Sequence, residues 1–73
     1  MKKIYRMKNL DCAHCAAKME TAIRRLDGVN DAAINFMAMK LTVDFAEGAD
    51  LSVVMSEAVK VCKKVEPDCE ILL

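Results

Sequence analysis

The sequence has no tryptophan, a single proline, two glycines and only three aromatic residues, Tyr5, Phe36 and Phe45. So few aromatics exclude the base-stacking platform used to grip single-stranded nucleic acid. Neither sign of charge is in excess, since eleven Lys and Arg balance eleven Asp and Glu. The basic face on which phosphate neutralisation depends is therefore missing, and no nucleic-acid partner is expected. No apolar run approaches the roughly 20 residues needed to span a bilayer. The opening Met1-Lys2-Lys3-Ile4-Tyr5-Arg6-Met7-Lys8 is basic but lacks the apolar stretch of an export signal. A soluble, cytoplasmic chain with no membrane segment is the expectation. Low-complexity runs and linkers are absent as well. Seventy-three residues provide one small domain, 1–73, with too little core to shape a deep catalytic cleft. No nucleotide-binding pattern or acid–base pair stands out, so the domain itself is not expected to be an enzyme.

What is present is a clear alternation of periods. Residues 3 to 9 alternate, with Tyr5 and Met7 on one face and Arg6 and Lys8 on the other, which predicts a half-buried strand. Ala16, Met19, Ile23 and Leu26 recur at helical spacing over residues 14 to 26, with Lys18, Arg24 and Arg25 turned outward. Asp27-Gly28 follows, the glycine being suited to a left-handed position after the last turn. Strands are predicted over 31–37 (Ala32, Ile34, Phe36) and 40–45 (Leu41, Val43, Phe45), joined by a short turn near Ala38 and Met39. Asp50 is a candidate cap for a second helix. That helix carries Leu51, Val54, Met55, Ala58, Cys62 and Val65 on one stripe and ends before Pro67. A last strand covers 68–73.

The order βαββαβ predicts an α+β, ferredoxin-like open-faced sandwich: four antiparallel strands with both helices on one face. Right-handed crossovers then bring three connections to one end, namely residues 9 to 13, the hairpin tip at 37 to 40, and residues 63 to 68.

Four cysteines remain to be explained: Cys12, Cys15, Cys62 and Cys69. In a chain that is not exported, metal binding or redox chemistry is the better reading of such residues. Cys12 and Cys15, two residues apart, can turn both sulfurs toward one point. They also straddle a strand-to-helix junction, where exposed amides and the positive helix end favour thiolates. Soft thiolates select copper(I), zinc, cadmium and similar ions.

The run Leu10-Asp11-Cys12-Ala13-His14-Cys15-Ala16-Ala17-Lys18-Met19-Glu20 resembles the metal loop and first helix of heavy-metal-associated domains. Leu26-Asp27-Gly28-Val29, Ile34-Asn35-Phe36 and Lys40-Leu41-Thr42-Val43 extend the resemblance over essentially the whole chain. Such modules occur as copper-chaperone-like proteins and ahead of the membrane part of heavy-metal-transporting P-type ATPases. The resemblance implies metal binding by Cys12 and Cys15 and transfer to or from a transient protein partner, a transporter domain or a chaperone.

One departure is informative. Copper modules usually read Gly-Met-Thr/His before the first cysteine, whereas here Asn9-Leu10-Asp11 stands there. The aspartate is similar to the zinc-, cadmium- and lead-exporting ATPases. Charge counting agrees. Copper(I) between two thiolates leaves minus one, and Asp11 makes it minus two. A divalent ion with two thiolates and one carboxylate returns to minus one. Excess charge in a partly desolvated site is costly, and zinc accepts carboxylate oxygen. Zinc, cadmium or lead is therefore expected over copper(I), with Asp11 as a third ligand. Capping of the first helix is its competing role.

His14 is expected to face solvent. Cys62 and Cys69 are expected as small buried hydrophobes, and Glu66 and Asp68 as a solvated turn that could offer an oxygen ligand, particularly across a dimer. A monomer is expected, a metal-bridged dimer being the alternative. Of the methionines, Met7, Met19 and Met55 fall on core positions, while Met37 and Met39 flank the hairpin tip. Lys18, Arg24, Arg25, Lys63 and Lys64 form a solvated surface able to steer an acidic partner. The rival readings are a free-standing copper(I) or zinc metallochaperone, a structural zinc domain using all four cysteines, and a thiol–disulfide protein.

Overall fold

The computed structural model describes residues 1–73 and places six elements: β1 (Lys2–Lys8), α1 (Ala13–Arg24), β2 (Val29–Asn35), β3 (Lys40–Phe45), α2 (Leu51–Val65) and β4 (Glu70–Leu72). The strands form one antiparallel sheet in the order β2-β3-β1-β4. Both helices cover the same face, giving the ferredoxin-like sandwich that the βαββαβ order predicts. No helix is long and apolar enough to cross a membrane.

Period-two patterning sets the two faces of the sheet. In β1, Met7 is buried and Tyr5 half-buried, while Ile4, Arg6 and Lys8 are exposed on the uncovered side. Leu41, Val43 and Phe45 of β3 are buried in the middle of the sheet. Against them pack Ala16, Met19 and Ile23 from α1, and Val54, Met55, Ala58 and Cys62 from α2. The core contains no polar or charged side chain. Burying each of the larger members, such as Phe45, Met19 and Leu41, contributes about 1.5–3 kcal/mol.

Asp50 caps α2 as expected, its carboxylate accepting from the amides of Ser52 and Val53 at 3.0 and 3.4 Å. Other ends move by local turn chemistry. Helix α1 stops at Arg24 because the amides of Arg25 and Leu26 reach back only three residues, to Ala22 and Ile23. Leu26 is thus half-buried beyond the helix, and Gly28 (φ +88°) lies in the turn into β2 rather than directly after the last helical residue. A Cβ at Gly28 would lie 2.9 Å from Val54 Cγ2 and 3.1 Å from Ala49 Cβ, so close packing also requires the glycine. Strand β2 begins at Val29 and closes at Asn35, two residues early at each end of the expected span. Asn35 Oδ1 accepts from the amide of Ala38 and folds Phe36 into the turn. Strand β4 is reduced to three residues, since the amide of Cys69 bonds the carbonyl of Glu66 in a turn.

The three connections do meet at one end. The Met7 amide donates to the carbonyl of Met39 at the hairpin tip (2.9 Å). Asn9, itself left-handed at φ 60°, donates through Nδ2 to the carbonyl of Asp68 (3.1 Å).

Candidate metal site

The loop from Asn9 to Cys12 is held from beneath by Leu10, whose side chain is fully packed in the core. Anchoring on both sides of Asp11 fixes where the next residue starts the helix. Cys12 is that residue. Its backbone is extended (φ −126°, ψ 119°), its carbonyl accepts from Ala16 N–H at 3.0 Å, and its Sγ accepts from Cys15 N–H at 3.2 Å. The first cysteine is thus the N-cap of α1, using sulfur where an oxygen side chain is more usual.

This corrects the capping role considered for Asp11. The aspartate lies one residue outside the helix, is exposed, and lines a polar cleft with Asn9, Lys63, Asp68 and Glu70. Cys12 and Cys15 are half-buried and unbridged, Cys15 resting against the edge of the core. His14 points away into solvent, as expected.

The two thiols are close and unlike. Cys12 is lowered from its ordinary pKa, chiefly by the hydrogen bond from the Cys15 side chain and then by the Cys15 amide. Cys15 is raised, chiefly because its proton is shared with Cys12, then by partial burial and the neighbouring negative charges. In the metal-free pair, Cys12 is therefore the thiol that ionises first, with Cys15 donating to it.

Charge reaches this pair from two further side chains. Lys18, one turn along α1, favours the Cys15 thiolate. Glu66 opposes ionisation of both thiols, and of Cys69 as well. This glutamate ends α2, its amide bonding the carbonyl of Cys62 at 2.9 Å. Its Oε2 is buried with no hydrogen-bond partner. An unpartnered buried carboxylate oxygen is costly, so Glu66 is more than the solvated turn expected from sequence. The predicted crossovers already bring residues 63–68 to this end and make Glu66 a candidate oxygen ligand; its buried, unpartnered oxygen is what the sequence does not signal.

The remaining cysteines play the structural part expected of them. Cys62 and Cys69 are both fully buried. Burial pushes the Cys62 thiol up to about 12, with the charge of Cys69 adding to the effect. Cys69 is raised by burial and then by Glu66. No group of three or more His, Cys, Asp or Glu is arranged to hold an ion, so the structure gathers neither Cys62 and Cys69 nor the expected third ligand Asp11 with the Cys12–Cys15 pair.

The family model for the heavy-metal-associated domain matches residues 4–67. The chain belongs to this metal-binding family. Among its relatives, the cadmium, zinc and cobalt-transporting ATPase of Bacillus subtilis is 36% identical over 92% of the chain. The zinc/cadmium/lead-transporting P-type ATPase of Escherichia coli is 45% identical over 55% of it. The matched stretches amount to 9% and 6% of those proteins, so the heavy-metal-associated domain spans only a small part of each. In structure, the CopZ metallochaperone superposes with a TM-score of 0.74 at 18% identity, covering 99% of this chain and all of its own. The N-terminal domain of a potential copper-translocating P-type ATPase from Bacillus subtilis superposes at 0.75 with 23% identity, over 99% of this chain and 84% of that one. At these identities the superpositions speak for the fold.

Proposed function

We propose that residues 1–73 act as one metal-transfer domain in which Cys12 and Cys15 bind a soft or borderline ion reversibly. The observation that carries this reading is the sulfur-capped helix start: Cys12 Sγ at 3.2 Å from Cys15 N–H, on a half-exposed loop beside the partner thiol. A sulfur that accepts an amide at a helix N-terminus is set up to ionise to the thiolate, the ligating form of cysteine, and exposure allows an incoming ligand to displace an outgoing one.

A divalent ion, zinc, cadmium or lead, is favoured over copper(I). Two carboxylates support this. Asp11 immediately precedes Cys12 in the chain, and Glu66 acts electrostatically on both thiols, so either carboxylate needs only to turn inward to add an oxygen to the pair. Either oxygen, added to two thiolates, balances a divalent ion better than a monovalent one. By analogy with its relatives, the domain is read as the cytoplasmic delivery or regulatory domain of a metal-exporting P-type ATPase, working as a monomer and handing metal to a transient protein partner. A free-standing copper(I) or zinc metallochaperone is the second reading, and a two-thiolate loop alone supports it.

The experiment is titration of the reduced domain with zinc, cadmium and copper(I), comparing wild type with Cys12→Ser/Cys15→Ser. Loss of binding in the double variant is expected, and unchanged affinity overturns the assignment. Asp11→Ala is expected to weaken zinc and cadmium more than copper(I). Equal loss for all three ions favours the chaperone reading.

A further inference from the structure

The uncovered face of the sheet carries an arrangement that neither the fold nor the metal loop requires. Arg6 of β1 and Lys40 of β3 are direct cross-strand partners. On a sheet face such neighbours have Cβ atoms only about 5 Å apart, and like charges there are destabilising. Lys8 lies two residues along β1 on the same side. All three are exposed. None is within ion-pair distance of a carboxylate, although Glu70 is the cross-strand partner of Lys8. By contrast, Arg24 is held by Glu20 and Asp31, and Lys63 donates to the carbonyl of Cys69. The chain has no net charge. The repulsion at Arg6 and Lys40 is thus a local concentration, not the by-product of a basic protein.

The three cations rim a shallow concavity of about 260 Å³ whose floor includes Met39 and Leu72. It is on the end of the molecule that bears the metal loop, since Met7 bonds Met39 and Lys8 leads directly into Asn9. We propose that this corner docks an acidic protein segment, a surface run of Asp and Glu side chains on a partner. The proposal deepens the metal-transfer reading by naming where the partner holds on while its ligands reach Cys12 and Cys15. Charge complementarity selects the occupant. A cationic rim on an apolar floor suits carboxylates on short apolar stems. An extended polyanion, a membrane surface or nucleic acid, would also meet Asp11, Asp68 and Glu70 on the adjoining cleft and be repelled.

The test uses the reduced, metal-free domain, isotope-labelled for amide NMR, and a synthetic Asp/Glu-rich peptide, with the Asn/Gln version as control. Expected are shifts at Arg6, Lys8, Lys40 and Leu72, disappearing with the control peptide and fading as salt rises from roughly 0.05 to 0.5 M. Lys40→Glu should weaken peptide binding by about tenfold or more, yet raise the thermal midpoint, because it puts a carboxylate opposite Arg6. That second readout separates lost docking from lost folding. Repeating the titration with Cys12→Ser/Cys15→Ser separates docking from metal binding. Peptide binding that persists there leaves the docking site standing even if the metal reading fails. Shifts centred on Lys18 and Arg25, or unchanged affinity after Lys40→Glu, overturn the proposal. Equal shifts with inorganic phosphate alone, or stronger binding to phosphatidylserine vesicles than to the peptide, overturn it too.

Discussion

Cys15 gives its amide to the sulfur of Cys12 across 3.2 Å, and this single bond ties the start of α1 to the chemistry of the loop. The same contact that caps the helix favours the thiolate on Cys12 over that on Cys15.

The asymmetry predicts an order of reaction. In the metal-free domain, limited iodoacetamide should label Cys12 before Cys15, with Cys62 and Cys69 untouched under native conditions because both are buried. Peptide mapping by mass spectrometry checks this. As pH falls from neutral, Cys12 should keep its reactivity lower than an ordinary thiol does, its pKa being depressed. Its contribution to stability is therefore present at alkaline pH and is lost as pH falls through the folded value. Equal labelling of Cys12 and Cys15 would sink the shared-proton description.

Glu66 should restrain the pair electrostatically. Replacing it by Gln keeps the shape and removes the charge, so both thiols should ionise at lower pH and alkylate faster at neutral pH. If its carboxylate also meets the ion, zinc or cadmium affinity falls while copper(I) affinity holds. The alkylation rate and the metal titrations are read on the same variant, and no change in the rate argues against the contact.

Gly28→Ala should cost about 1–3 kcal/mol, from a left-handed backbone and a Cβ pressed against Val54 and Ala49. Gly48 has a similar φ of +81° but open space around it. Its Ala variant should lose only about 1 kcal/mol. Urea unfolding of the two variants measures the difference, which isolates close packing from backbone strain.

Burial of Cys62 makes a prediction at high pH. Its folded pKa, about 12, lies above the ordinary thiol value of 9.0. A raised pKa means the stabilisation is complete below the unfolded value and is lost as pH rises from near 9 toward 12. Cys62→Val, apolar and close in volume, should show a shallower fall in thermal midpoint across that window. Identical pH profiles for wild type and variant would refute it.

Much of the fold was legible because the two periods never conflict. Tyr5 and Met7 alternate, Ala16, Met19 and Ile23 recur by thirds and fourths, and one set of side chains serves one core. Boundaries were less legible. Phe36 continues the alternation of β2 on paper, but the Asn35 side chain captures the Ala38 amide and turns the chain first. For the same local reason, Asp11 looked like a cap while the sulfur of the next residue took the amide.

Composition and spacing by themselves determined the βαββαβ order, the paired thiols at the first strand–helix junction, and the apolar stripes that form the core. Those are properties of short windows, governed by periodicity and by which residues tolerate burial. What only the tertiary structure decided concerns residues far apart in the chain. It buried an oxygen of Glu66, some fifty positions along, without a partner and set its charge against Cys12 and Cys15, and it set Arg6 opposite Lys40. Electrostatic coupling depends on distance in space, and crossovers and strand register determine that distance. The metal loop is written in four consecutive residues, Cys12 to Cys15, but its surroundings are written in the fold.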